Sequence, residues 1–184
     1  MVPREVDKLL KNLINLSKYV YNKGYVSSKG GNLSGVIGNC MLIKMSGVSL
    51  GNLKPKHLII VKDFKEKTQV DKASIDYLIH REIYIKTGAK YVIHCHPNPI
   101  IRYTILNPEK DIVHPIDLEG SYYLPEGIPI VKGEHQTIYK QIGKLAGNYR
   151  VIVESGHGIY VWGNSPEEVK NLTELSVEIF NCLL

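Results

Sequence analysis

"YVIHCHPNPI" (residues 91–100) sets two histidines one residue apart at the end of an apolar run, with Pro97 and Pro99 close behind. The run reads as a strand that stops where the prolines begin. Side chains two residues apart on a strand project from the same face, so His94 and His96 converge while Cys95 points to the opposite face. Two imidazoles leave a zinc site incomplete, and such a pair by itself is more often only a polar patch at a sheet edge. A third ligand decides between these readings.

"VIVESGHGIYV" (residues 151–161) supplies one. His157 lies between two glycines at the end of a second apolar run, where the backbone can turn sharply and present the ring. Taken alone it is a turn residue. With His94 and His96 it makes a three-histidine set. Three imidazoles with an open fourth position are the catalytic form of a zinc site, whereas a structural site closes with a fourth ligand.

Around these two stretches the chain alternates helices and strands. A helical spacing over residues 4–23 stops at Gly24; "CMLIKM" and "HLIIVKD" read as strands, with a turn-rich connection between them. Residues 74–87 read as a helix with Ser74 as N-cap and Gly88 after it, and residues 98–106 as a helix opened by the prolines. A long loop follows to about residue 126, then the strand "IPIVK", a helix over 134–146, the strand pair around Gly-His-Gly, and a last helix over 165–183 capped by Ser165. This predicts one α/β domain over residues 1–184, a three-layer α/β/α sandwich with a mainly antiparallel central sheet.

The 184 residues are enough for one domain with a substantial core, and 43% hydrophobic with 22% charged residues is ordinary for a globular chain. No apolar stretch approaches a bilayer span and the N-terminus lacks a signal-peptide core, which argues for a cytoplasmic protein with no membrane partner. Three widely spaced cysteines, Cys40, Cys95 and Cys182, suit reduced thiols. The net charge of +5 comes from scattered lysines with no basic run, which argues against nucleic acid but leaves a small anion such as a sugar phosphate compatible.

The order GGNLS (30–34), Ser46-Gly47, S-x-D-x-x-x-H (74–80), VIHCHP (92–97), GIPIV (127–131) and GHGIYVWG (156–163) resembles the class II aldolase/adducin family over nearly the whole chain. The resemblance implies one zinc ion per subunit on His94, His96 and His157, and a homotetramer with active sites between subunits. It also implies cleavage of a ketose 1-phosphate, of the fuculose 1-phosphate type, to dihydroxyacetone phosphate and an aldehyde such as lactaldehyde. Family aldolases carry Ser-Ser-Glu where this chain has Ser74, Ile75 and Asp76. Asp76 thus matches the acid/base group one methylene shorter, as in family 4-epimerases acting on ribulose 5-phosphate, and Ile75 removes one phosphate donor.

Other readings of these residues stay open. Asp76 also fits first-turn helix stabilisation, worth about 0.3–1 kcal/mol, and His80, one turn on, fits a core or supporting histidine. Gly31, Asn32 and Ser34, with Ser46, Gly47 and Ser74, are the candidate phosphate ligands, the Gly-rich loop offering backbone NH groups as a nest and Lys29 adding charge. An interface tyrosine is part of the family aldolase mechanism; Tyr122 and Tyr123 are candidates that also fit simple interface packing. Beside the aldolase stand a 4-epimerase, a methylthio-sugar phosphate dehydratase, and a non-catalytic adducin-like binding module.

Overall fold

The computed structural model describes residues 3–67 and 70–184. An eight-stranded sheet runs in the order β3-β2-β1-β4-β8-β7-β6-β5. Its strands are β1 Asn32–Ile37, β2 Cys40–Lys44, β3 Leu58–Lys62, β4 Tyr91–Cys95, β5 Ile112–Val113, β6 Ile128–Val131, β7 Val151–Glu154 and β8 Gly158–Gly163. Every neighbouring pair is antiparallel except β6 with β7, so the sheet is mixed, with a single parallel step near one edge.

Helices cover both faces. On one side α1 (Pro3–Asn22), α3 (Asn98–Leu106) and α6 (Pro166–Cys182) bury Leu9, Leu13, Leu16, Val20, Ile100, Val169, Ile179 and Phe180 against the sheet. The leucines of α1 recur at spacings of three and four, which aligns them in one stripe. A Cβ on Gly35 would lie 2.6 Å from Leu9 Cδ1, so glycine there is what lets α1 settle onto β1. On the other side α2 (Tyr77–Thr87) and α5 (Tyr139–Leu145) bury Tyr77, Ile79, Ile83, Tyr84 and Ile142. The three layers of the expected sandwich are present. Strand β4, at the centre, is buried along its whole length, as its unbroken apolar run requires.

Three elements differ from the sequence reading. α2 begins at Tyr77 with Asp76 as N-cap, not at Ser74, because the Asp76 side chain is drawn to the site instead of capping the helix. α5 begins at Tyr139 instead of residue 134; the stretch before it forms turns after Gly133. The long loop before β6 contains β5, paired with Ile128 and Pro129, and the short helix α4 (Leu118–Tyr123), whose N-cap Asp117 accepts from the Gly120 amide at 2.6 Å.

Register places the functional residues. Asn32 lies opposite His94, and His94 opposite Tyr160, on three adjacent strands; Glu154, two residues beyond Ile152, shares their face. This is the α2/α5 face, and the N-terminus of α2 brings Asp76 over it.

Candidate metal centre

β4 delivers His94 to the face just described and ends at Cys95; His96 follows, its amide donating to Tyr25 O at 2.7 Å. Cys95 points into the opposite core, as the strand period requires. The turn Ser155-Gly156-His157 joins β7 to β8, with Gly156 at φ 71°. A Cβ on Gly158 would lie 2.2 Å from Cys95 O and 2.9 Å from His96 Cδ2. The glycine after His157 is therefore needed for β8 to start against the other two histidines.

The three rings meet. His94 Nε2 lies 2.9 Å from His96 Nε2 and 3.4 Å from His157 Nε2. Nitrogens bound tetrahedrally at about 2.0–2.1 Å stand about 3.3 Å apart, so this spacing suits one ion. The opposite nitrogens are engaged: His94 Nδ1 with Ile159 O at 2.9 Å, His157 Nδ1 with Glu154 Oε2 at 2.8 Å. Those partners orient the Nε2 lone pairs of both rings inward. Burial lowers the pKa of His94 to about 3 and of His96 to about 4, which keeps both imidazoles neutral and available as ligands at neutral pH. Lone pairs facing one another at this distance repel unless a cation lies between them, so the residues present fit a divalent metal.

Asp76 is 2% exposed. Its Oδ2 accepts from Asn32 Nδ2 and lies 3.8 Å from His94 Nε2. Its Oδ1 lies 2.8 Å from His135 Nε2, an ion pair angled away from linear hydrogen-bond geometry. Burial disfavours its charge, but His135 and Asn32 outweigh burial and hold the carboxyl well below the usual carboxylate range. Asp76 makes no side-chain cap to its own helix, so helix stabilisation does not explain its place.

Two participants escaped the sequence reading. His135 Nδ1 lies 2.8 Å from Glu154 Oε1, and Glu154 also accepts from Tyr160 OH at 3.1 Å while holding His157. Asp76 pushes His135 up to about 9, with burial opposing and Glu154 adding. Burial works against the charge of Glu154, yet His157 and His135 bring it to about 2. His135, Glu154 and His157 also have ligand atoms within 4.8 Å of one another. Their facing nitrogens already contact Glu154, which makes that cluster a relay of contacts rather than a second metal site. Glu154 carried a signal in sequence, a lone acid closing an apolar strand three residues before His157; His135 carried none.

A hollow of about 160 Å³ opens beside the histidines, lined by Lys29, Gly30, Gly31, Lys44, Ser46, Gly47 and Ser74, with Ile75 and Asp76 at one side. Gly31 sits at φ 68°, and a Cβ there would lie 2.5 Å from Val26 Cγ1, so only glycine fits. The amides of Gly30, Ser46 and Ser74 donate to Ser27, Lys72 and Lys44 carbonyls. What Ser46 and Ser74 can offer an anion is thus their hydroxyls, and in the Gly-rich loop expected to form a nest the Gly30 amide is already committed. Lys44, overlooked in the sequence, is 2% exposed; its Nζ donates to Val48 O at 2.6 Å and Lys29 O at 3.3 Å, and burial lowers its pKa.

One expected phosphate ligand is placed differently. Ser34 is fully buried behind the hollow, bonded to His80 Nδ1 at 2.6 Å and Tyr84 OH at 2.7 Å, because its strand position faces α2 and not the opening. Asn32 lines the hollow but commits an amide hydrogen to Asp76. His80 is a core histidine, as one of its two readings had it. Tyr122 and Tyr123 lie exposed on α4 and do not line the hollow. A larger groove of about 840 Å³ between α4 and α6 is lined by none of these histidines.

Residues 11–184 match the Class II Aldolase and Adducin N-terminal domain, and the chain belongs to this family. It is 30% identical over 187 residues to a methylthioribulose-1-phosphate dehydratase of Sulfurihydrogenibium sp. (strain YO3AOP1), covering 92% of this chain and 86% of that one. It is 25% identical over 190 residues to the human protein of the same name, covering 90% and 78%. The fold superposes on the crystal structure of L-fuculose-1-phosphate aldolase from Thermus thermophilus with a TM-score of 0.86 at 24% identity, covering 96% and 93%. No helix among the described residues is long and apolar enough to cross a membrane.

Proposed function

We propose that the protein is a divalent-metal-dependent lyase that cleaves a ketose 1-phosphate of the L-fuculose 1-phosphate type to dihydroxyacetone phosphate and an aldehyde such as L-lactaldehyde. The observation that carries the reading is the placing of a buried, ionised carboxylate, Asp76, beside three convergent imidazoles and at the wall of a hollow lined by Lys44, Ser46 and Ser74. His94, His96 and His157 would hold one zinc ion per subunit, which supplies a Lewis acid for the carbonyl and neighbouring hydroxyl oxygens of the sugar.

The other groups divide the remaining work. Ser46 and Ser74 hydroxyls, the Gly31 and Gly47 turns and the Lys44 ammonium bind the phosphate. That anchoring orients the adjacent carbons toward Asp76. Asp76 moves the proton at the carbon next to the carbonyl, its deep burial keeping bulk water from competing. The hollow is smaller than the roughly 300–1,000 Å³ usual for a whole ligand, which leaves the rest of the sugar to be enclosed by another surface. We read that surface as a neighbouring subunit of a homotetramer, since Ile116, Leu118 and Tyr122 stand 68%, 90% and 76% exposed. Tyr122 or Tyr123 is then placed to act across the interface.

A second reading, dehydration of a methylthio-ketose 1-phosphate, is favoured by the names of the sequence relatives. It works at the same carbon but in the opposite sense: the base takes the proton from the carbon next to the carbonyl and the hydroxyl on the following carbon leaves, protonated, as water, whereas aldol cleavage breaks the carbon–carbon bond and returns a proton to that carbon. Incubating the zinc-loaded protein with fuculose 1-phosphate, methylthioribulose 1-phosphate and ribulose 5-phosphate, with product identification by mass spectrometry and NMR, separates aldolase, dehydratase and epimerase. We expect dihydroxyacetone phosphate from the first. Turnover of none would refute catalysis and favour a binding module.

A further inference from the structure

We propose that His135 is a positioning residue that ties the base Asp76 to Glu154, and through Glu154 to the metal ligand His157, so that base and metal are held in one chain of contacts. The inference rests on the lyase reading for its catalytic consequence, but not for its effect on the metal.

The geometry runs without a gap. His135 Nε2 is 2.8 Å from Asp76 Oδ1, its Nδ1 is 2.8 Å from Glu154 Oε1, and Glu154 Oε2 is 2.8 Å from His157 Nδ1. The His135 ring also meets the His157 ring edge to face, with centroids 5.1 Å apart. Asp76 Oδ1 is buried and makes no ideal hydrogen bond among the described residues, and His135 Nε2 is the ring nitrogen that faces it at 2.8 Å. A carboxylate held by Asn32 on one oxygen only is free to swing about that bond; the second contact removes the freedom. Glu154 is in a similar position. It is 5% exposed and receives His135 on one oxygen and both His157 and Tyr160 on the other. Freed from His135, it would hold His157 less firmly, and partners of this kind govern metal retention.

The loop that carries His135 explains how one side chain reaches both acids. Gly133 at φ 133° redirects the chain after β6, and the turns before α5 lay the imidazole across the ends of β7 and α2. The side chain keeps 31% of its surface in solvent, so replacing it does not hollow out the core.

The test compares wild type with His135→Ala and His135→Gln, each loaded with zinc. In the first arm, zinc loss to excess chelator is timed without substrate. Alanine should release zinc about three- to tenfold faster, one contact further out than partners whose loss costs about 10–100-fold. In the second arm, kcat should fall about ten- to a hundredfold with KM within about twofold, and glutamine, which keeps a donor for a carboxylate, should recover much of both losses. Thermal midpoints are measured in parallel. Unchanged zinc release and unchanged kcat in His135→Ala would overturn the proposal, as would a lowered midpoint alone, which would mark a merely structural role. If wild type turns over no substrate, the lyase reading fails, and the zinc arm still decides whether His135 supports the metal ligand.

Discussion

At one end of the hollow three imidazoles, carried by β4, the residue after it and the turn between β7 and β8, converge, with the Nε2 atoms of His96 and His157 within 3.4 Å of His94 Nε2. At the other end two serine hydroxyls, two glycine turns and a buried lysine surround open space; the lysine closes β2, and the others come from the connections after α1 and β2 and before α2. The difference is one of tolerance. A ring at the metal end answers to sheet register and to glycines whose replacement would clash, as at Gly158. Groups at the anion end share a diffuse task, and each supplies part of a favourable field. Loss at the first end should be close to all-or-none and at the second graded.

The sharpest break of this contrast is His94→Ala. Zinc content should fall from about one per chain to near zero, and turnover by at least about a thousandfold, since one missing ligand leaves an incomplete site; elemental analysis and steady-state rates check both. Next is Asp76→Asn, which should leave zinc in place and lower kcat about 10²–10⁴-fold, the usual range for a lost acid/base group. If zinc leaves with activity, Asp76 belongs to the metal end as a ligand. Lys44→Met probes the anion end: a charge-assisted contact of about 1.5–3 kcal/mol corresponds to a KM about ten- to a hundredfold higher, with zinc content and kcat held.

The smallest effect on turnover belongs to His80, which lies under the hollow and touches neither end. Burial lowers its pKa to about 4. The unfolded chain binds this proton below about pH 6.5 while the folded chain does not until about pH 4, so stability falls as pH drops through that window, by about 3 kcal/mol in full. His80→Gln should flatten the acid side of a urea-denaturation profile between those pH values while sparing the rate. An unchanged slope would show that His80 is already charged in the fold, with the nearby Asp76 carboxylate holding its proton against burial.

The metal end was legible in the sequence because its logic is local. A two-residue period puts His94 and His96 on one face, and Gly156 and Gly158 mark the turn that presents His157. The helix over 98–106 was equally legible from its prolines. The anion end was legible only as a loop composition, and composition does not distinguish Ser34, which faces α2, from Ser46 and Ser74, which face the hollow. Lys44 and His135 were hidden for a related reason: each owes its position to a chain segment remote from it. β5 and α4 are too short to show a period, and α2 starts late because Asp76 turns toward His135 and away from its own helix.

The central claim is that one divalent ion is held by three imidazoles far apart in the chain. X-ray absorption at the zinc edge, on wild type and on His157→Ala, tests it most directly. The account predicts three imidazole nitrogens at about 2.0–2.1 Å in wild type and the loss of one, or of the metal, in the variant. A spectrum with fewer than three imidazoles, or one that the substitution leaves unchanged, would contradict it.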